Sequence, residues 1–203
     1  MKKTAYYLSI AVIAILCIFT ACSPEDDQVL PEYRPSIYSD DFEWFTNGNL
    51  ELDTWTHVVV KGTKPWKYET RNSNSYLYFT GYAPAGAPKE AANESWVISK
   101  EVNIDEAKLK RLTFISTQGY VNDFTNNDLE LYIIHNINGS TADTVKMDYN
   151  KPVLGGTNFK WINSGIVSLA AFKGNIKIAF RGTGSGTDTN ADGTYEVDNI
   201  KVF

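Results

Sequence analysis

Residues 128–135 read DLELYIIH, and Leu129, Leu131 and Ile133 stand at alternate positions within them. A period of two places the three side chains on one face of an extended strand. Residues 175–180, NIKIAF, repeat the pattern with Ile176, Ile178 and Phe180. Outward from these two, short strand-like runs succeed one another, separated by Gly, Asn, Asp and Pro clusters. DDFEWF, WTHVVV, WKYET and SYLYFTGY come first, then ESWVISKEVNI and KRLTFIS, and later TVKM, FKWINSGIV and TYEVDNIKVF. Only IDEAKLKR (Ile104 to Arg111) and SLAAFKG look helical, and both are short. No βαβ alternation and no solenoid repeat is present. The expectation is an all-β, two-sheet antiparallel β-sandwich of about ten strands. Periodicity alone leaves a jelly roll and an immunoglobulin-like sandwich equally open.

Composition agrees. Five Trp, 12 Tyr and 10 Phe suit strands and their surfaces better than helices. A net charge of −5 offers no basic surface for phosphates, which excludes nucleic acid as a partner. The segment from Ser36 to Phe203 is of single-domain size, enough to bury one core.

The chain begins MKKTAYYLSIAVIAILCIFTACS. Two lysines, an apolar run from Ala5 to Phe19 and small residues before Cys22 mark a secretory signal, with an uncleaved membrane anchor as the alternative. The phrase FTAC resembles the bacterial lipobox. Cleavage there leaves Cys22 to carry lipid on its thiol and amine, and removes Cys17. The mature domain then has neither a free cysteine nor a disulfide, so its stability must come from the core. Ser23 to Asp27, SPEDD, is a solvated acidic linker. It also resembles the signal that exports Bacteroidetes lipoproteins to the outer face of the outer membrane. With Pro24, Pro31 and Pro35, residues 22–36 read as a tether. The expected organisation is a lipoprotein signal peptide over 1–21, a lipidated cysteine and tether over 22–36, and a sandwich over 37–203.

The order of several phrases narrows the fold. DFEWF, ANESWVISKEVNID, LKRLTFIS, INSGIVSLAAFKGNIKIAFRGTG and YEVDNIKVF, taken in series, resemble the choice-of-anchor J and cleaved-adhesin jelly roll of Bacteroidetes surface lipoproteins. That family shows a D/E-x-W-L-I-S-P phrase and closes on I-D-D-I/V-x-V. Trp96, Ile98 and Ser99 match the first phrase, with Lys100 in place of its proline. Asn199 replaces the second aspartate of the closing phrase. The resemblance implies a jelly roll of the carbohydrate-binding-module kind and a cell-surface setting, without fixing one ligand.

Calcium is the one cofactor with sequence support. Asp188, Asn190, Asp192 and Gly193 open like a calcium loop, but the twelfth position is Asn199 and a strand follows, so the EF-hand reading fails. The plainer reading is a hairpin loop whose Asp-Gly supplies a tight turn. Glu196 and Asp198 are in phase with Ile200 and Val202, which places carboxylates on a face expected to point inward. Such a carboxylate needs a donor, a cation, or a bulge that turns it outward. The resemblance implies a structural calcium where first and last strands meet, held by Asp41, Glu43 and Asp198.

Catalytic signals are lacking. His57 lies in a valine-rich strand and His135 near a strand end, and two lone histidines without cysteine do not make a zinc site. No G-x-S-x-G occurs, GTGSG lacks the lysine and helix of a phosphate loop, and no two acids are paired by a glycosidase signal. An enzyme is not expected. Trp55 and Trp96 read as core. Trp44, Trp66 and Tyr82 are the candidate rings for stacking on a ligand, each with a core or plain surface role as the alternative. The DTV at Asp143 to Val145 resembles a short O-glycan acceptor pattern at Thr144, on an expected exposed turn. The function expected is a non-catalytic outer-membrane lipoprotein facing the cell exterior. It would capture glycan or peptide beside a TonB-dependent transporter and its capturing lipoprotein. The alternative is an adhesin or structural lipoprotein. An exposed aromatic platform ringed by acids favours the first reading, and a long uncovered sheet edge the second.

Overall fold

The computed structural model describes residues 34–44, 55–137 and 142–203; the leader, Cys22 and the tether through Tyr33 lie outside these described residues, as does Phe45. The strands are β1 (Tyr38–Asp40), β2 (Trp55–Lys61), β3 (Lys67–Arg71), β4 (Asn74–Thr80), β5 (Asn93–Ser99), β6 (Val102–Asn103), β7 (Arg111–Gly119), β8 (Leu129–His135), β9 (Asp143–Met147), β10 (Ile162–Asn163), β11 (Val167–Ser168), β12 (Asn175–Gly184) and β13 (Thr194–Val202). All ladders are antiparallel. The first sheet runs β10-β7-β13-β4-β3, with β1 also on β13 and β11 on β7; the second runs β2-β5-β12-β8-β9, with β6 on β12. The chain changes sheet eight times among the described strands, after β1, β2, β4, β6, β7, β9, β11 and β12. The central trio of one sheet therefore lies over that of the other, which is jelly-roll winding and removes the immunoglobulin-like alternative.

Alternation explains the core. Leu129, Leu131 and Ile133 of β8 and Ile176, Ile178 and Phe180 of β12 turn inward, against Leu77 and Phe79 of β4, Phe114 of β7 and Val197 of β13. Phe114 meets Phe180 edge-on at 5.1 Å between centroids, joining the sheets directly. Gly182 lies where Phe79 comes across: a Cβ there would sit 2.6 Å from the Phe79 ring. At the chain entrance, buried Asp40 accepts the indole N–H of Trp55 (2.8 Å), the indole N–H of Trp44 (2.9 Å) and the backbone N–H of Phe42 (3.1 Å). One carboxylate thus ties β1 of the first sheet to β2 of the second.

Several expectations need correction. DDFEWF is strand only through Asp40; Phe42 then adopts φ +57° in a turn that drives its ring into the core. IDEAKLKR forms only a 3-10 turn over Ile104–Glu106, and SLAAFKG forms no helix. Residues 185–193 do not close a hairpin on Asp-Gly, because β12 and β13 belong to different sheets. Thr144 lies on edge strand β9, exposed, rather than on a turn.

The inward phase read for Glu196 and Asp198 is reversed by a bulge. The β13–β7 register shifts between Asp198 and Lys201, with Asn199 at φ +53°. Tyr195 and Val197 point inward before the bulge, and Ile200 and Val202 after it; all four are fully buried. Glu196 and Asp198 consequently face outward.

Gly182→Ala is expected to destabilise the protein by about 1–3 kcal/mol, because its methyl group overpacks against Phe79. Urea unfolding measures this directly, and an unchanged midpoint would refute the close approach.

Candidate functional site

The second sheet's outer face is organised by its central strand. Arg181 of β12 lies opposite Trp96 of β5 and Glu130 of β8, and Ala179 lies opposite Ile98 and Tyr132. Directly opposed residues share a face, so Trp96, Arg181, Glu130, Ala179 and Tyr132 all point outward together. Trp96 and Tyr132 are half-buried and come within 4.7 Å, centroid to centroid, across β12. Ala179 lies between them and is fully buried; its single methyl leaves the rings room to meet.

A charge ladder runs alongside the rings, with one member from each strand. Lys61 of β2 pairs with Glu94 of β5 at 3.1 Å. Arg181 reaches Glu94 at 3.0 Å and Glu130 at 2.5 Å. Lys146 of β9 closes the far end on Glu130. Tyr132 donates its hydroxyl to Glu130 at 3.0 Å, fixing its ring to the ladder. The Arg181 hydrogen bond holds Glu94 down at about 2. Burial would raise Glu130, but its bonds from Lys146, Arg181 and Tyr132 outweigh that and hold it low. Both acids are therefore fixed carboxylates at neutral pH. The surface offers flat rings for the apolar faces of a ligand, and a row of fixed acceptors and donors for its hydroxyls.

At the ladder's Lys61 end an open cleft of about 480 Å³ lies between Glu94, Arg181 and the β12–β13 loop with Asp188 and Asn190. Buried Asn93 lines it, and its side-chain N–H2 has no hydrogen-bond partner. The calcium-like loop is thus a cleft wall. Asp188 accepts the Asn190 N–H at 2.9 Å in a local turn, and burial, then Asp188, raises Asp192.

The ring candidates read from sequence are dispersed. Trp66 is 1% exposed, donates to the Ser95 carbonyl at 2.9 Å and packs on Phe79, so it has no face for a ligand. Trp44 is half-exposed at the turn after β1, edge-on to Tyr68; Tyr82 is half-exposed after β4. Trp55 is core as expected, whereas Trp96 is not: it stands on the outward phase of β5. On β8, Glu130 and Tyr132 alternate with the apolar Leu129, Leu131 and Ile133, so their outward phase was legible in sequence; on β5 the phase of Glu94, Trp96 and Ile98 was not. Nor was their meeting across β12. His57 is exposed on β2, and His135 packs against Phe172 at 5.2 Å.

For calcium, Asp41, Glu43 and Asp198 are neighbours. Burial, then the charges of Glu43 and Asp41, raises Asp198 to about 6 despite bonds from Asn199 and Asn74. Glu43 accepts the Ser75 N–H at 3.1 Å, and Asp41 the Glu43 N–H at 3.3 Å. Their oxygens are turned to these donors, and among the described residues no three acid, imidazole or thiolate groups converge to hold a metal.

No protein-family model matches the chain, and no curated protein matches it. Solved structures do. It is similar to the K3 cleaved adhesin domain of Lys-gingipain from Porphyromonas gingivalis w83, at 13% identity and TM-score 0.49 over 83% of this chain and 99% of that one. It is similar to the C-terminal family 22 carbohydrate-binding module of Clostridium thermocellum Xyn10B, at 12% identity and TM-score 0.45 over 85% and 96%. The CBM22-1 xylan-binding domain of Paenibacillus barcinonensis Xyn10C gives 16% and 0.42 over 85% and 96%. At such identities the likeness concerns architecture, and the sandwich itself is established by the strand pairing above.

Glu94 sits at about 2 against an ordinary 4.5, so its stabilising effect is complete above pH 4.5 and is lost as pH falls towards 2. Arg181→Gln is expected to cost about 1–3 kcal/mol at neutral pH and to flatten the stability profile across that acid window. An unchanged acid profile would show that the ladder does not stabilise the fold.

Proposed function

We propose that this protein is a non-catalytic binding module that holds a glycan across the outer face of its second sheet. The observation that supports this most is the Trp96–Tyr132 pair, set 4.7 Å apart on an open sheet face beside the charge ladder. Glu94 and Glu130 are both held ionised, so neither can serve as a general acid at neutral pH, which fits binding rather than cleavage. Glycan-array screening followed by calorimetry tests the reading. Trp96→Ala and Tyr132→Ala are each expected to weaken the best-bound glycan about tenfold or more, given ring-stacking contributions of this order. A peptide ligand, or glycan binding untouched by both changes, would overturn it.

On this reading the module is displayed on the outer membrane through lipidated Cys22, facing the cell exterior. There it serves a TonB-dependent transporter and its capturing lipoprotein. The lipobox-like FTAC and the acidic SPEDD support the address. Cys22→Ser is expected to abolish palmitate labelling and release the protein from membranes; a labelled, membrane-bound variant would contradict it.

The adhesin reading draws on a separate feature. Val58, Val59 and Val60 are exposed on β2, which ends the second sheet among the described residues. Pull-down of fimbrial or matrix proteins, dependent on β2, would favour it.

Calcium belongs to the seam of β1 and β13. Binding there requires Asp41, Glu43 and Asp198 to turn from their present donors to a shared ion, which relieves the repulsion at Asp198. Chelator-treated protein is expected to gain several degrees of melting temperature with calcium, and Asp198→Asn to lose that gain. A gain that survives Asp198→Asn but vanishes in Asp188→Asn would move the ion to the 188–192 loop. No gain in the wild type would exclude calcium.

A further inference from the structure

The bulge in β13 builds a second feature, on the opposite side of the sandwich. Glu196 and Asp198 face outward from the first sheet's central strand, yet are only 4% and 1% exposed. The segment before β10 brings Phe159 and Trp161 over this face. Trp161 meets Tyr76 of β4 edge-on at 5.7 Å, and Phe159 meets the Arg71 guanidinium at 5.9 Å. Between them lies an open groove of about 460 Å³, lined by the rings, both acids and Arg71.

The hydrogen bonding here is incomplete. Asp198 accepts from the Asn199 backbone and from the Asn74 and Asn199 side chains. Glu196 has the Tyr76 hydroxyl, and the Arg71 guanidinium, which also lines the groove, attracts it. Thr117, directly opposite Glu196 in the β13–β7 register, is fully buried with a hydroxyl that has no partner. Glu196 thus has the Tyr76 hydroxyl as donor for its two carboxylate oxygens.

We propose that this groove is a site for an organic ammonium group, distinct from the glycan face and independent of it. An ammonium brings three donors and no acceptor, which complements the Glu196 and Asp198 carboxylates that line the groove. Its charge opposes the two acids, and the Tyr76, Trp161 and Phe159 rings supply faces for cation–π contact. An amino sugar and a lysine side chain both present this group.

The test is a titration of the full-length protein, followed at the Trp161 indole N–H by NMR. The probes are D-glucosamine and Nα-acetyl-lysine amide, with N-acetylglucosamine and Nα-acetyl-norleucine amide as uncharged counterparts. A saturable shift with either cationic probe, absent with its counterpart, is expected. Glucosamine alone would identify a sugar amine, the lysine derivative alone a basic peptide, and both the ammonium itself. Glu196→Gln, which keeps shape and removes charge, is expected to weaken binding about tenfold or more while leaving glycan binding on the other face unchanged. Should that variant fail to fold, Trp161→Ala is expected to weaken the cationic probes similarly. No shift with either cation at millimolar concentration, equal shifts with the uncharged counterparts, or full affinity in a folded Glu196→Gln protein would overturn the proposal.

Discussion

Arg181 joins the fold of this protein to its surface. It stands on the central strand of the second sheet and reaches the carboxylates of both neighbouring strands, Glu94 and Glu130. Those carboxylates in turn hold Lys61 and Lys146 at the two edges. Glu94 and Glu130 are mostly buried, and without Arg181 each would lose its central cation. Tyr132 is oriented through Glu130, so the ring's position depends on the same guanidinium. Removing that one charge would loosen the order of all five strands' outward side chains.

Jelly-roll winding gives the molecule two organised outer faces with one shared core. Both centre on the last two strands, β12 and β13, which cross from sheet to sheet through the 185–193 loop. On β12 the outward phase is Arg181 and the small Ala179, which lets two rings meet above the strand. On β13 the outward phase is two acids, set by a bulge and covered by rings from the segment before β10. Both faces set rings beside carboxylates, but on the second sheet these are paired with cations and held low, whereas on the first sheet burial raises them.

Much of this architecture was legible in sequence. Alternation at Leu129, Leu131 and Ile133, and at Ile176, Ile178 and Phe180, located inward faces correctly, and Trp55 was placed in the core. Sites were harder, for physical reasons. Trp96 looked like core because a tryptophan beside Val97 and Ile98 is apolar on both phases, and only pairing with β12 and β8 shows which phase faces out. Trp66 lies outside any strand, so no alternation fixed its direction, and it is buried by Phe79. The bulge at Asp198 adds a residue that period-two reading cannot see, so every face assignment before it in β13 was inverted. Long-range register, which brings Glu94, Arg181 and Glu130 together across 87 and 51 residues of chain, leaves no local trace.

The central claim is that ligand is held by the ring pair over Ala179. The five tryptophans, Trp44, Trp55, Trp66, Trp96 and Trp161, provide separate reporters of it. The most direct measurement is an indole N–H NMR titration of the full-length protein with the glycan that binds best. The account predicts a saturable shift at Trp96, with the core indoles of Trp55 and Trp66 stationary. A saturable shift at Trp44 with Trp96 unmoved, or no shift at any indole across the glycans tried, would contradict it.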